Sequence, residues 1–340
     1  DPDGAQVEAR RASNLMSKYI DATLGGIRDE DGAVLRKVRN NAFLLYSAGM
    51  LYDSDGEIND AFTSYRNAAV AFQANHGILN LDIPPSLAQD LQRVANRMGF
   101  EAELDQLKKD CPQVFESVSL TDEGWLPGQG EVVLYLEAGF VAHKTQIRFD
   151  FPIFQREKYS DPDYWSWQIY ANMGNMSVLT HGRKIEYWVS VAAPELQDPV
   201  GNIGGARISA GISGAHAMTS QVSNLSGTAR INFDAEKPTI FFKTIARGLS
   251  KYLASREISK KSNVGGMLAN LFGAATESAD TRSWLTLPEN IHLARMSLPA
   301  GTYDLKVEIL DRRGHVLSSQ KIPAVVVQSG RWTFLSQRVF

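Results

Sequence analysis

The chain has 340 residues, of which 44% are hydrophobic and 21% are charged, and its formal net charge is −3 at pH 7. This length suffices for two domains with their own cores, and the composition excludes a chain that is disordered throughout. The small negative net charge gives no general attraction to nucleic acid, so we expect no nucleic-acid partner.

Cys111 is the only cysteine, which excludes an intramolecular disulfide bond and a cysteine-rich metal site. No apolar run approaches the ~18 residues that would indicate a membrane span. The first residues, Asp1-Pro2-Asp3-Gly4, include neither an initiator methionine nor a signal peptide. We therefore expect a mature or trimmed start whose targeting segment, if one exists, is not in this sequence.

The first third of the chain is predicted to be helical. Apolar residues recur at helical spacing in Gln6–Leu24, and again in Ala33–Tyr52 after a turn at residues 29–32. A further pair of helices is predicted at Ser86–Met98, with Ser86 as the cap, and at Phe100–Lys109. These pieces suffice for a small stack of helices.

Within this region, residues 42–73 match the template of a tetratricopeptide repeat. The matching positions form one face on each of two helices: Leu45, Ala48, Gly49, Tyr52, Ala61, Tyr65 and Ala68. Gly56 provides the turn between the helices, whereas Gln73 stands where the template has its closing proline. An ordinary helical hairpin is the alternative interpretation. Because a repeat unit cannot bury its own hydrophobic face, neighbouring elements must cover it, and we predict a helical-repeat domain over residues 1–120.

From residue 121 to residue 340, short β-prone runs bounded by glycine, proline, asparagine or aspartate dominate the sequence. The predicted strands are Val132–Leu136, Thr145–Phe151, Ile185–Val191, Arg207–Ile212, Ala229–Phe233 and Gly301–Ile309, with two or three more in Val316–Phe340. Residues 312–315 are predicted to form a hairpin turn. Short strands at this spacing favour an antiparallel β-sandwich-like domain over a parallel α/β sheet, so the predicted fold class is α+β.

A helical insertion is predicted at residues 238–275 of the β-rich part. Its first helix has an apolar face, formed by Phe241, Ile245, Leu249, Tyr252 and Leu253, and basic residues elsewhere, such as Lys243, Arg247 and Lys251. Such a helix could lie on an anionic membrane surface or pack its apolar face on the protein itself. A second apolar stripe around residues 267–272 and the net charge of −3 favour packing on the protein or on a partner subunit.

Several segments of the chain are similar to one family of proteins: residues 40–65, 84–87, 99–100, 130–139, 268–288 and 298–303. The strongest likeness is in residues 268–288, which contain the string Asp280-Thr281-Arg282-Ser283-Trp284. In their order, these parts resemble a family of Gram-negative envelope lipoproteins with no assigned biochemical activity. The resemblance implies a helical-repeat half, a β-rich half and an N-terminal lipid that tethers the mature protein to the outer membrane. It therefore implies a periplasmic location. The lipid-bearing cysteine is not in this sequence.

No constellation in the sequence predicts catalysis. Residues 211–214 lack the last glycine of a nucleophile elbow, and residues 201–205 lack the Gly-Lys-Ser/Thr ending of a phosphate loop. The histidines do not have the spacing of metal ligands, and we interpret all of them as surface or edge residues: His76, His143, His181, His216, His292 and His315. We therefore predict a non-enzymatic protein with no cofactor and no metal.

The leading hypothesis is an adaptor whose helical repeats accept a protein partner in the cell envelope or a second copy of the chain. We predict that the polar and aromatic residues next to the template positions line the binding groove. These residues are Asn40, Asn41, Tyr46, Tyr52 and Arg66.

A second hypothesis is a cell-wall glycan or peptide binder that uses aromatic surface residues and one arginine. Its predicted contact residues are Trp165, Trp167, Arg282 and Trp284. The structural alternative is that one face of the strand around Trp165 is core, because aromatic residues are enriched in strands. In the same alternative, Arg282 pairs internally and Trp284 packs beneath it.

Overall fold

The structure, a computed structural model, describes residues 4, 7–12, 14–15, 41–116, 128–154, 185–198, 201–211, 214–259 and 278–340. Helices and strands both form large parts of it, which confirms the predicted α+β class. The chain divides into two compact units, the first being Asp1–His143, Leu196–Glu236 and Ser283–Phe340, and the second Lys144–Glu195 and Lys237–Arg282. The first unit therefore contains residues from both sides of the boundary predicted near residue 120.

The described helices in the first part of the chain are α1 Ala42–Asp55, α2 Ile58–Leu79, α3 Pro85–Met98, α4 Glu101–Asp110 and α5 Pro112–Phe115. Local sequence explains most of their ends. Asn41 caps α1 by accepting a hydrogen bond from the Leu44 backbone N–H at 3.2 Å, and Gly56 ends it with φ 84°. Pro85 occupies the first turn of α3, where a missing N–H is tolerated. Residues 7–12 and 14–15 are also helical, as predicted.

The helices α1 and α2 pack closely where the sequence places a small residue. A Cβ atom added at Gly49 would lie 2.4 Å from Cδ1 of Tyr65, so only glycine allows this approach. Ala61, Tyr65 and Ala68 on the facing side of α2 are fully buried. The predicted contact between the two helices is thus confirmed.

The described strands are β1 Gln129–Ala138, β2 His143–Phe154, β3 Ile185–Gln197, β4 Ile203–Ala210, β5 His216–Met218, β6 Ser220–Asn224, β7 Asn290–Pro299, β8 Gly301–Asp311, β9 Val316–Val327 and β10 Trp332–Val339. In the first unit they form one sheet in the order β10-β1-β7-β6 and another in the order β5-β4-β8-β9. Pairing is antiparallel except between β1 and β10, which run parallel.

The sheet that contains β1 and β7 is covered on both faces. Because alternate side chains of a strand point to opposite faces, Val132, Leu134 and Leu136 contact the core shared with β4 and β8, whereas Val133 and Tyr135 contact the helices. The first unit therefore has three layers: helices, a first sheet and a second sheet. The central sheet belongs to both cores.

One predicted strand is wrong. Ala229–Phe233 lies within a long helix, α6, which runs from Leu225 to Ser259 and begins well before the predicted Pro238. The Asn224 side chain accepts a hydrogen bond from the Gly227 backbone N–H at 2.7 Å and so starts the helix. Five residues that alternate between apolar and polar side chains are too few to predict a strand where a helix cap precedes them.

In the second unit, the later part of α6 packs on the sheet formed by β2 and β3. A Cβ atom at Gly248 would lie 2.8 Å from Cγ1 of both Val189 and Val191, and Tyr252 is buried against the same valines. The predicted packing of the insertion on the protein is confirmed here, although Leu253 is exposed and residues 260–275 lie outside the described chain. None of the described helices is long and apolar enough to cross a membrane.

We predict that Gly49→Ala destabilises the protein by roughly 1–3 kcal/mol, because the added methyl group overlaps the Tyr65 ring. Gly77→Ala in α2 is the matched control, since nothing lies within 4 Å of its added Cβ. It should stabilise by up to about 1 kcal/mol through helix propensity alone. Urea denaturation measures both changes. An equal increase in the free energy of unfolding for the two variants would contradict the close packing of α1 on α2.

Candidate functional site

The residues predicted to line a partner groove do not form one exposed surface. Tyr46 is fully buried and Tyr52 is only 8% exposed. Arg66 is exposed on α2, Asn41 is exposed but caps α1, and Asn40 lies outside the described residues. The assignment of Tyr46 to a surface groove is corrected: its ring packs 5.7 Å from that of Tyr65, inside the core between the helices and the first sheet.

Tyr46 instead belongs to a group of buried polar side chains centred on Arg295 of β7. The Arg295 guanidinium donates hydrogen bonds to Tyr46 Oη at 2.7 Å, Asp90 Oδ2 at 2.5 Å and Glu131 Oε1 at 3.0 Å. Ser297 Oγ donates to the other oxygen of Glu131 at 2.7 Å. The helix α3 is thereby tied to β1 and β7.

A second arginine extends this group along the helices. Arg93 donates to Asp53 and, at 3.1 Å, to Asp90 Oδ1, while Tyr65 Oη donates to Asp53 at 3.0 Å. We call Asp53, Asp90, Arg93, Glu131 and Arg295, with the two tyrosines, the buried ion network. It joins α1, α2 and α3 to the first sheet.

The electrostatics of the buried ion network keep its arginines charged. Burial disfavours the charge of Arg295, but Asp90, Tyr46 and Glu131 together raise its pKa well above the ordinary value. Burial also raises the pKa of Tyr46, so the phenol stays protonated. The sequence analysis did not predict this network, although one feature of the sequence indicates it: Asp90 lies on the apolar stripe of α3 with Leu87, Leu91 and Val94.

The interpretation of His292 as a surface or edge residue is wrong. It is 1% exposed, on the side of β7 that faces the second sheet, and within the described structure neither ring nitrogen has a hydrogen-bond partner. The same is true of the side-chain oxygen of Asn290, two residues earlier on that side. Burial lowers the pKa of His292 to about 4, although Asp82 opposes this shift. A neutral imidazole is therefore held between the sheets.

Among the described residues of the first unit, exposed aromatic side chains lie together at one end of the first sheet. Because β1 and β10 run parallel with Ala138 opposite Val339, the residues that follow them reach the same end. Phe140 and Phe340 are 46% and 77% exposed, and their rings stack with centroids 4.9 Å apart.

Arg338 orders this end of the sheet. Its guanidinium lies 5.7 Å from the Phe140 centroid and 5.1 Å from the Phe340 centroid, a cation–π arrangement. Its Nη2 donates to the Gly139 carbonyl at 2.7 Å and to the Thr286 carbonyl at 3.3 Å, and its Nη1 pairs with Glu137 at 3.3 Å. The arginine thus connects the end of β10 to the segment that precedes β7.

That segment carries two further exposed apolar side chains. Trp284 is 71% exposed and Leu285 is 58% exposed. Trp284 Nε1 donates to Thr286 Oγ1 at 2.7 Å, which fixes the indole beside the backbone that Arg338 binds. We call Phe140, Trp284, Leu285, Arg338 and Phe340 the aromatic patch.

The structure describes two of the four residues predicted to contact a glycan, Arg282 and Trp284. Trp284 is exposed rather than packed in a core. Arg282, in the second unit, is paired with Asp280 at 2.9 and 2.7 Å, and its side chain holds the pKa of that carboxyl well below its usual range. Trp165 and Trp167 lie outside the described residues.

We predict that the protein loses stability as the pH falls from 6.5 toward 4. The unfolded chain protonates His292 near pH 6.5, whereas the folded chain does so only near its lowered pKa of about 4. Folding therefore favours the neutral form of His292. The resulting decrease in the free energy of unfolding reaches roughly 3 kcal/mol near pH 4. In His292→Leu this part of the pH dependence should disappear, whereas the exposed control His216→Leu should retain it. Denaturation at several pH values measures the difference, and parallel curves for wild type and His292→Leu would contradict the assignment.

A scan against protein-family models and searches of curated proteins and of solved structures found no match. The likeness to envelope lipoproteins therefore rests on the sequence segments quoted above. The aromatic patch and the buried ion network are features of this chain's own geometry. Of these two, only the aromatic patch is accessible to another molecule.

Proposed function

We propose that the protein is a non-enzymatic scaffold or adaptor of the cell envelope, on the periplasmic side of the outer membrane, that binds a protein partner. The aromatic patch carries this proposal. In the proposal, α1 to α4 are tetratricopeptide-like helices and the two large sheets of the first unit are a β-sandwich-like platform. The location follows from the family resemblance of the sequence.

Several properties of the aromatic patch suit a protein interface. Exposed apolar side chains that cluster, rather than occur singly, are typical of interaction sites. Tryptophan and arginine are enriched among the residues that contribute most to binding free energy. Trp284 and Phe340 are the most exposed members, and hydrogen bonds of Arg338 to backbone carbonyls order the surface around them. Little conformational entropy would then be lost on binding.

The polar atoms of the patch favour a protein over a glycan. A sugar that stacks on an aromatic ring also needs hydrogen-bond donors and acceptors beside that ring. Here the Trp284 N–H is already bonded to Thr286, and Arg338 is bonded to Gly139, Thr286 and Glu137. Glycan binding through Trp284 is the alternative function.

The helices have a different role in this proposal from the one expected of a repeat groove. Phe43, Tyr46 and Leu45 of α1 pack against the core that includes Val133 and Leu293 of the first sheet. The protein's own sheet thus occupies the helix face that a partner would otherwise bind. We infer that the helices support the sheet and leave recognition to the aromatic patch, with Arg66 as a peripheral contact.

We predict that the double variant Trp284→Ala, Phe340→Ala binds its protein partner at least tenfold more weakly, a loss of about 1.4 kcal/mol or more. Its unfolding free energy should change by less than about 0.5 kcal/mol for each exposed residue. Phe242→Ala is the matched control, since Phe242 is 74% exposed on α6 in the second unit. Quantitative affinity capture from envelope extract, followed by titration of each purified candidate protein, measures the effect.

Three outcomes of this experiment are informative. A protein retained by wild type and by Phe242→Ala, but lost from the double variant, supports the proposal. Equal retention by all three contradicts a role for the aromatic patch. If wild type instead co-sediments with purified peptidoglycan and Trp284→Ala abolishes this, the glycan alternative replaces the protein partner.

A further inference from the structure

The strand β9 forms an edge of the second sheet. It pairs with β8 along its length, with Gln320 opposite Val307 and Val316 opposite Leu310, and no other described strand pairs with it. In an antiparallel ladder, alternate residues direct their backbone N–H and C=O groups away from the paired neighbour. The outer edge of β9 therefore offers a row of donors and acceptors to another strand.

The two halves of β9 differ in exposure. Residues 316–321 are all exposed, including the apolar Val316 and Leu317 at 50% and 52%. Val325 and Val327 in the second half are buried in the core between the sheets. The first half thus extends beyond that core, and both of its faces and its edge are accessible.

The two halves also differ in the features that discourage strand addition. The second half has Lys321 and Pro323, and Ala324 with φ 53°, where the register with β8 shifts. Charges, prolines and bulges at an edge are the usual means by which proteins prevent edge pairing. Residues 316–320, Val-Leu-Ser-Ser-Gln, have no charge and no proline, and their one irregularity is a shift of the register with β8 between Val316 and Ser318.

We propose that the first half of β9 pairs antiparallel with the same segment of a second copy, about a two-fold axis at Ser318, and so joins two second sheets into one. This inference stands apart from the aromatic patch and from the proposed function. The pairing is self-complementary because residues 316–320 carry no charge, so no like charges come opposite each other.

The flanking charges favour a second copy as the occupant. With Ser318 opposite itself, Val316 lies opposite Gln320 and Lys321 lies opposite His315 of the second copy. His315 is paired at 3.1 Å with Asp311, and the backbone N–H groups of Arg313 and His315 also donate to that carboxylate. Each end of the paired segment thus brings a lysine toward a fixed carboxylate, although Lys321 also pairs with Asp304 of its own chain at 2.8 Å.

Site-specific crosslinking tests the register. Opposite Cα atoms in antiparallel strands lie ~4.5–5.5 Å apart, within the range of a disulfide bond. The native Cys111 is buried, so Ser318→Cys supplies the accessible thiol. Mild oxidation should convert Ser318→Cys to a covalent dimer, whereas Ser336→Cys, at an exposed position of β10, should stay monomeric. Equal crosslinking of the two variants would overturn the proposal.

Charge exchange at the same position supplies a second test that does not depend on disulfide chemistry. Wild type should sediment as a dimer in analytical ultracentrifugation, and Ser318→Lys and Ser318→Glu should each sediment as monomers with unchanged circular dichroism. Mixing the two variants should restore a dimer, because lysine then lies opposite glutamate. A monomeric wild type at the highest soluble concentration, or a mixture that stays monomeric, would contradict the pairing.

Discussion

The structure of the first unit depends on the ion pair between Arg295 of β7 and Asp90 of α3, which are 205 residues apart in the sequence. The two side chains are only 10% and 3% exposed. A buried charge is costly unless it is paired and hydrogen-bonded, and removing either residue would take one charge out of a network in which Arg295 also pairs with Glu131 and Asp90 with Arg93. The apolar core supplies most of the free energy of folding, while this pair fixes where the helices rest on the sheet.

This constraint also determines which surfaces are left for other molecules. Since α1 packs against α2 on one side and the first sheet on the other, Tyr46 and Tyr52 of the predicted groove are interior, whereas Asn41 and Arg66 are exposed. The first sheet is likewise covered on both faces. Among the described residues, the accessible surfaces include the ends of its strands, where the aromatic patch lies, and the edge of the second sheet at β9. The proposed functions of the protein are placed at these two locations.

Local sequence patterns correctly predicted the elements that are determined by residues close together in the sequence. Gly56 and the small residue Gly49 predicted the α1–α2 hairpin, and the alternation of β8 with Gly314 predicted the hairpin to β9. The strand β7 was not among the predicted strands, because both of its faces are buried and its polar residues are satisfied or enclosed by distant elements. Tyr46 and His292 were misplaced for the same reason. Their burial comes from a second layer that no local pattern contains, and the aromatic patch required the parallel pairing of β1 with β10.

A double-mutant cycle on Asp90 and Arg295 tests the central claim most directly. Each of Asp90→Asn and Arg295→Met should cost roughly 3–5 kcal/mol, because it removes one partner of a buried, hydrogen-bonded ion pair. If the pair fixes the helices on the sheet, the double variant should cost about 2–3 kcal/mol less than the sum of the two single variants in urea denaturation. Additive effects, with a coupling below about 0.5 kcal/mol, would contradict this account.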